Sequence, residues 1–551
     1  MRGLMMDYPL TLTALLRHTE RVHRDGEVVS RAGDRSLRRT TYGACIDRAR
    51  KLGAALRGLG LNPGDRVASF CWTHDRHLEL YYAVPTAGLV IHTLNIRLHA
   101  DDLAYIATHA GDRVAVVDKV LWPAFAQFRD RAPFEHVIVI SDDGVAPEGT
   151  IDYEAFIASA PSEDFAEIRD ENAAAAMCYT SGTTGQPKGV VYSHRSQVLH
   201  SMCISSSDVL GLSGTETILP VVPMFHANAW GIPYAAAMTG ARLVFPGQHL
   251  DPASLVDLLE RERVTITAGV PTIWMGILSY LDANVGKHDL SRLRLMLIGG
   301  SAVPESLIAA FDARHGLTIK QGWGMTEMSP IGSFTSDRAE QEGFTAAQRH
   351  AYRATQGMPV PFVETRARNE SGEVPWDGAT MGELEVRGPW VSSAYYESDE
   401  AADKFTADGW FRTGDIVTIA TDGRIVVQDR SKDLVKSGGE WISSVALENF
   451  LMGHPEVAEA AVISVAHPKW AERPLAIVVP RGGGPPDCDS LKRHLATKFP
   501  SWWLPDAYEF ATALPRTPTG KVRKNELREQ YQSRYMDAAD ARTREPVFRD
   551  P

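Results

Sequence analysis

The sequence predicts an α/β protein, with a large N-terminal domain of layered α/β sheets and a small α+β domain at the C-terminus. Three observations predict this. At 551 residues the chain exceeds what one ordinary hydrophobic core encloses, so two or more domains are expected. Short apolar runs alternate with amphipathic helical stretches along most of its length, the pattern of largely parallel sheets covered by helices. Near the end the pattern shortens to two strands, Ala458 to Val465 and Leu475 to Val479, and one helix, Cys488 to Phe499, which suits a unit of roughly a hundred residues.

In chain order, Thr41 to Gly60 places Tyr42, Cys45, Ile46, Ala49, Leu52, Leu56 and Leu59 mostly three and four residues apart, one face of a helix that Gly60 stops. Pro63-Gly64-Asp65 turns the chain into a buried strand, Arg66 to Cys71. A helix over Asp75 to Ala87 and a strand over Leu89 to Leu94 follow. The alternation recurs with a helix over Asp101 to His109 and strands over Val114 to Val117 and His136 to Ile140. Gly144 to Gly149 and Ala160 to Asp164 read as surface loops. Val221 to His226 reads as the end of a strand, and Ala227 to Gly231 as its continuation onto a helix. Leu293 to Ile298 is an apolar strand running into Gly299-Gly300-Ser301-Ala302, with Pro304 opening the next helix. Glycines at the carboxyl end of a strand are where open α/β sheets admit ligands. Gly423 to Val427 reads as the return strand of a hairpin.

Bulk properties narrow the function classes. Hydrophobic residues at 44% and charged residues at 23% are those of a soluble globular protein. The net charge of -12 argues against nucleic acid as the main partner. Five scattered cysteines form no CxxC pair, so neither a disulfide framework nor a zinc site is expected, and a reducing cytoplasm is the default location. Met1 to Leu16 lacks the basic start and apolar core of a secretory signal, and no apolar run reaches the ~20 residues of a membrane span.

The most informative stretch is Tyr179-Thr180-Ser181-Gly182-Thr183-Thr184-Gly185-Gln186-Pro187-Lys188-Gly189-Val190. Glycines let backbone amides approach an anion, hydroxyls add donors without bulk, and Lys188 supplies a point charge. No Gly-Lys-Ser/Thr triplet closes it, so it is not a Walker A loop. Its local chemistry fits a polyphosphate cradle and, equally, a solvated Ser/Thr/Gly connection.

This stretch resembles the signature loop of the adenylate-forming superfamily, which includes acyl-CoA synthetases, carrier-loading adenylation domains and firefly luciferase. Further matches follow in family order from about Asn95 to Lys521, and the likeness extends to medium-chain fatty acyl-CoA ligases, including the branch that activates 3-methylmercaptopropionate. Val221-Val222-Pro223-Met224-Phe225-His226 is similar to the family's second motif, which places His226 beside the acyl site. The resemblance sets adenine against Gly300, Ser301 and Ala302, and matches Gln321-Gly322-Trp323-Gly324-Met325-Thr326-Glu327 to the next motif. There Trp323 stands where tyrosine is commoner; stacking on a purine survives that change, whereas a phenolic hydrogen bond does not. Thr413-Gly414-Asp415 resembles the ribose motif. Asp429-Arg430-Ser431-Lys432-Asp433 resembles the hinge, with Arg430 toward the ribose, which divides the chain into residues 1–430 and a mobile lid of residues 431–551. Lys436 to Ser443 is similar to the loop that lines a pantetheine tunnel, through Gly438, Gly439, Glu440 and Trp441; it also suits a hairpin turn. Pro515 to Val522 resembles the last motif, whose lysine is Lys521.

What the resemblance implies is an ATP-dependent acyl-CoA synthetase. A carboxylate attacks the α-phosphate of ATP to give acyl-AMP and pyrophosphate, and the thiol of coenzyme A then displaces AMP. Lys521 and a magnesium ion held by Glu327 would stabilise the transition state, Thr326 would touch the α-phosphate, and Thr180, Ser181, Gly182, Thr183, Thr184 and Lys188 would hold pyrophosphate. Trp323, Gly324, Asp415 and Arg430 would bind the nucleoside. His226, Trp230, Val270, Pro271, Gly299 and Met325 would wall the acyl pocket, the indole of Trp230 favouring short or medium chains. Rotation about Lys432 would then withdraw Lys521 and bring Gly438 and Gly439 in. The family likeness also implies a homodimer. The rival readings are an adenylating enzyme with a carrier-protein acceptor and a non-catalytic adenylate-binding homologue.

Overall fold

A computed structural model describes the chain except residues 2, 181–185, 399–401, 439, 483, 518–520 and 536–551. Ser181, Gly182, Thr183, Thr184 and Gly439, singled out above, therefore lie outside the described residues. Four sheets organise the rest. In the first, Ile151–Asp152, His136–Ile140, Asp112–Asp118, Arg66–Phe70, Val90–Thr93 and Ala174–Tyr179 lie side by side in parallel, and Gly189–Ser193 closes the edge antiparallel to Ala174–Tyr179. In the second, Ile319–Gly324, Leu295–Ile298, Ile266–Gly269, Thr217–Pro220, Arg242–Phe245 and Glu27–Arg31 are parallel, with antiparallel strands at both edges. The connecting helices form where the periodicity places them. Tyr42–Gly58 is capped by Thr41, whose hydroxyl accepts from the Ala44 amide, and it buries Cys45, Ile46, Ala49, Leu52 and Leu56. Such a cap is worth about 1 kcal/mol, and each fully buried leucine about 1.5–3 kcal/mol.

The third sheet is antiparallel throughout: Gly372–Glu373, Glu364–Asn369, Gly382–Arg387, Phe411–Ile419 and Ile425–Arg430. Only its final hairpin was legible in the sequence. Its strands carry charges on the face away from the core, where Arg366 pairs with Glu385 at 2.6 Å and with Asp408 at 2.7 Å, Glu385 itself being buried, and these charges break up the apolar signal that marks the parallel strands. Leu384, Val386, Val417 and Ile425 from the opposite face join the core of the two large sheets.

The fourth sheet runs Glu440–Ile442, Val435–Ser437, Ala471–Pro480, Val457–His467, with Ala507–Phe510 added in parallel to Ala471–Pro480. It has a core of its own, in which Val462 and Val478 pack on Leu447 and Leu451 of the helix Ser444–Leu451 and on Leu491 and Leu495 of the helix Cys488–Ala496. This is the small α+β unit the sequence predicts.

Two expectations are corrected. The strand before His226 ends at Pro220, because Val221 to Phe225 turn across the carboxyl end of the sheet. The segment Ala227 to Gly231 is no continuation onto a right-handed helix. Ala227, Asn228, Ala229 and Trp230 have φ of 41, 52, 48 and 57° and Gly231 has 73°, a single left-handed turn, and the right-handed helix Ile232–Thr239 starts only beyond it. Such a conformation costs roughly 1–2 kcal/mol per L-residue, so the surrounding packing must hold it.

Candidate active site

Parallel registry aligns the carboxyl ends of neighbouring strands, and the loops leaving those ends meet. Pro220, Gly269, Ile298 and Gly324 end adjacent strands of the second sheet; beyond them lie His226, Val270 with Pro271, Gly299 with Gly300, and Thr326 with Glu327. The first sheet contributes Tyr179 and Thr180, and the third contributes Asp415 and Arg430.

Asp415 is 2% exposed and faces Arg430 across the antiparallel ladder. Its Oδ1 takes the Arg430 Nε–H at 2.6 Å, and its Oδ2 accepts from the Trp323 indole N–H at 2.9 Å. The lost phenol at position 323 is thus replaced by a different donor. The ring of Trp323 lies on Gly332, where a Cβ would come within 2.5 Å of it. Gly324 is irreplaceable for a similar reason: a Cβ there would land 1.7 Å from the Pro330 carbonyl oxygen. Gly300 and Ser301 are exposed and Ala302 partly so.

The described ends of the loop from Tyr179 to Val190 close on each other. The Thr180 amide donates to the Lys188 carbonyl at 2.9 Å, and the Lys188 amide donates to the Thr180 hydroxyl at 3.3 Å. Lys188 Nζ stands 5.5 Å over the ring of Tyr395, and the Tyr395 hydroxyl donates to Glu327 Oε1 at 2.6 Å. Tyr192 donates to the Thr326 carbonyl at 2.7 Å, fixing the turn that carries Glu327.

Into this constellation the small unit delivers Lys521. Burial pushes its ammonium pKa down to about 8, repulsion from Arg430 and Lys432 adds to the fall, and the attraction of Asp415 and Glu327 opposes it. Among the described residues nothing hydrogen-bonds its Nζ, whereas its backbone is tied to Thr517 in both directions. His226 lies within reach of the same charges: burial pushes its pKa down to about 4, and Lys521 and Arg97 deepen the fall, so the ring is neutral at pH 7.

Trp230 is partly buried, and a Cβ on Gly299 would sit 3.1 Å from its indole. Val270 packs beside Gly300, and Pro271 opens the helix Pro271–Ala283. Met325 donates its amide to Pro330 and packs on the main core. Of the residues expected at the hinge and tunnel, Lys432 stands near enough to Lys521 to lower its pKa. Lys432 is exposed. Gly438, with φ of 60°, donates its amide to the Trp470 carbonyl at 2.9 Å on the turn between Val435–Ser437 and Glu440–Ile442, and Trp441 lies beneath Lys436.

Three side chains at this site escaped the sequence reading: Tyr192, Tyr395 and Arg97. Tyr192 follows the apolar pair Val190-Val191 and Tyr395 lies in a Ser- and Glu-containing stretch, and neither setting carries a motif. Arg97 is one arginine among many until the fold sets it beside His226.

A buried carboxylate paired with an arginine, a lysine and a second carboxylate joined through one tyrosine, and an amine supplied from the small unit thus meet beyond the carboxyl ends of the strands. The chain belongs to the AMP-binding enzyme family: residues 16–396 match the AMP-binding enzyme model, and residues 446–521 match the AMP-binding enzyme C-terminal domain. It is 48% identical over 538 residues to a long-chain-fatty-acid–CoA ligase of Thermus thermophilus, covering 97% of this chain and 98% of that one. It is 43% identical over 537 residues to a 3-methylmercaptopropionyl-CoA ligase of Ruegeria lacuscaerulensis, covering 96% and 99%. Among solved structures, the anthranilate CoA ligase AuaEII in complex with anthranoyl-AMP superposes with a TM-score of 0.86 at 25% identity, covering 97% of this chain and all of that one.

Proposed function

We propose that this protein is an AMP-forming acyl-CoA ligase for short- or medium-chain carboxylic acids. A carboxylate is a poor electrophile, and transferring AMP to it creates a leaving group. The carboxylate oxygen attacks the α-phosphorus of ATP, the bond to the bridging oxygen breaks, and pyrophosphate departs; the thiolate of coenzyme A then attacks the acyl carbon and expels AMP. The first step brings two anions together, so cations placed in advance supply most of the acceleration. Lys521 stands over the approaching groups, Lys188 and Thr180 hold the departing pyrophosphate, and Thr326 contacts the α-phosphate. Arg430 and Asp415 hold the ribose while Trp323 stacks on adenine. His226, neutral, lies beside the reacting carboxylate.

Glu327 suits a magnesium ion. It is 6% exposed, its Oε1 is held by Tyr395, and among the described residues no hydrogen bond reaches Oε2. No group of three or more His, Cys, Asp and Glu clusters into a metal cage among the described residues, so one carboxylate and the nucleotide's own oxygens would hold the ion, as magnesium prefers. Bound there, it would neutralise charge on the phosphates.

The observation that carries this reading is the position of Lys521, brought by the small unit among Arg430, Asp415 and Glu327. We assign residues 1–430 to the substrate-binding domain and residues 431–551 to a lid pivoting at Lys432, and the position of Lys521 supports an adenylating orientation of that lid. Rotation would carry Lys521 out and turn Gly438, Gly439, Glu440 and Trp441 to the site for the coenzyme's pantetheine arm. The packing of Trp230 against Gly299 supports short or medium acyl chains. No helix among the described residues is long and apolar enough to cross a membrane, and we place the enzyme in the cytoplasm, as a homodimer. The test is pyrophosphate exchange over a panel of carboxylates followed by coenzyme A-dependent release of AMP. Exchange that requires acid, with higher kcat/KM for chains of about four to ten carbons than for sixteen, is the expected result. Exchange without added acid would overturn the reading.

A further inference from the structure

The segment Trp390 to Tyr396 is tied to both anion-handling elements at once. At its start, the Trp390 indole donates to the Ile331 carbonyl at 2.9 Å, and the Trp390 carbonyl accepts from the Ser329 hydroxyl at 3.1 Å. The Ser392 amide donates to the Glu327 carbonyl at 2.7 Å. At its end, the Tyr396 amide donates to the Gly189 carbonyl at 2.9 Å, one residue past the phosphate-loop lysine. Between these anchors Tyr395 is partly buried, braced edge-on by Phe405 at 5.8 Å, with Phe411 behind Phe405 at 5.4 Å. Its hydroxyl reaches Glu327 and its face receives Lys188.

We propose that Tyr395 is a positioning residue for adenylation: through one rigid ring it fixes the Glu327 carboxylate for the metal and the Lys188 ammonium for the departing pyrophosphate. The proposal rests on the roles given above to Glu327 and Lys188. A glutamate has three free torsions, and a magnesium ion tolerates little departure from octahedral geometry, so the carboxylate must be aimed beforehand. A phenol donating to one oxygen pins the group and leaves the other oxygen for the ion. The electron-rich face attracts the ammonium without neutralising it, so the lysine keeps its full charge for phosphate. Because the ring cannot turn without losing Phe405, movement of one partner is felt by the other.

The test uses the full-length protein and a methylene-bridged ATP analogue that cannot transfer AMP, titrated calorimetrically at stepped magnesium concentrations. Wild type is compared with Tyr395→Phe, Tyr395→Leu and Glu327→Gln, and thermal unfolding is recorded for each. Tyr395→Phe keeps the ring and removes the hydroxyl. It is expected to raise the magnesium concentration for half-maximal binding about tenfold, the scale of an outer partner of a metal ligand, while AMP binding and thioester formation from supplied acyl-AMP stay at wild-type values. Tyr395→Leu is expected to weaken pyrophosphate binding as well, even without magnesium. A wild-type magnesium requirement in Tyr395→Phe beside a lost one in Glu327→Gln would overturn the positioning role alone. A wild-type requirement in Glu327→Gln would instead remove the metal assignment on which it rests. Equal losses of ATP-analogue and AMP binding in Tyr395→Phe, with lowered thermal stability, would reduce the residue to a packing role and overturn the proposal.

Discussion

Lys521 and Lys524 lie on the same segment of the small unit, one helical turn apart in sequence, and their surroundings are opposite. Lys524 is fully engaged: its Nζ meets Glu448 Oε1 at 2.6 Å and the Ser444 hydroxyl at 2.6 Å, and Ser444 in turn donates its amide and hydroxyl to Asp429 at 2.6 Å each. Although burial works against its charge, Glu448, Asp429 and Asp433 raise its pKa above the usual lysine value. Lys521 faces Arg430 and Lys432 as well as Asp415 and Glu327, and its pKa falls to about 8. One amine holds the segment to the helix Ser444–Leu451 of the small unit, whose Ser444 in turn reaches Asp429 at the end of the third sheet. The other has its hydrogen-bonding capacity unclaimed by described side chains, which fits the role proposed for it above. The contrast sets an amine engaged in packing beside one left open within a few residues.

The largest effect expected is on the attached lysine. Lys524→Met leaves Glu448 and Asp429 buried without their cation, a loss of about 3–5 kcal/mol that should appear as early thermal unfolding of the small unit. Adding Glu448→Gln should recover much of it; no recovery would mean that the ion cluster is not what holds the segment. Next, Lys521→Met should leave unfolding unchanged and cut pyrophosphate exchange by about 10²–10³-fold, with thioester formation from supplied acyl-AMP spared. Equal loss in both half-reactions would erase the distinction between the two lysines. The pH profile follows from the lowered pKa. Adenylation needs the protonated amine, so kcat/KM for pyrophosphate exchange should be level below pH 8 and fall as pH rises through about 8, reporting the free enzyme. A profile flat to pH 10 would place the amine in an ordinary environment. The smallest effect concerns Trp323→Phe, which keeps a ring for adenine and removes the donor to Asp415. About 0.5–1.5 kcal/mol of ATP binding should be lost, seen as a higher KM for ATP with the acid's KM unchanged.

How much of this was legible in the sequence depended on whether chemistry or packing wrote the signal. The parallel sheets announced themselves because strands buried on both faces are continuous apolar runs, and His136–Ile140 falls where Val137, Ile138 and Val139 predict it. Asp415, Glu327 and Lys521 stood out through the motifs around them, and the fold brings all three to one place. The turn at Ala227 to Gly231 did not, because alanine and tryptophan carry no local preference for a left-handed backbone; the conformation is imposed by packing, with His200 against Gly231 and the Tyr81 hydroxyl reaching Asn228 at 3.3 Å. Tyr395 was hidden for a related reason. A tyrosine's role as a donor depends on what the fold sets beside its hydroxyl, and the carboxylate it meets is 68 residues away.

That reversed coil also bears on which changes its surroundings can accept. Each of its positions demands a backbone that L-residues resist, so one inserted residue would push Asn228, a side chain that tolerates the conformation, out of place and swing the indole of Trp230 away from Gly299. Exchanging a side chain along this turn is therefore a milder change than lengthening or shortening it.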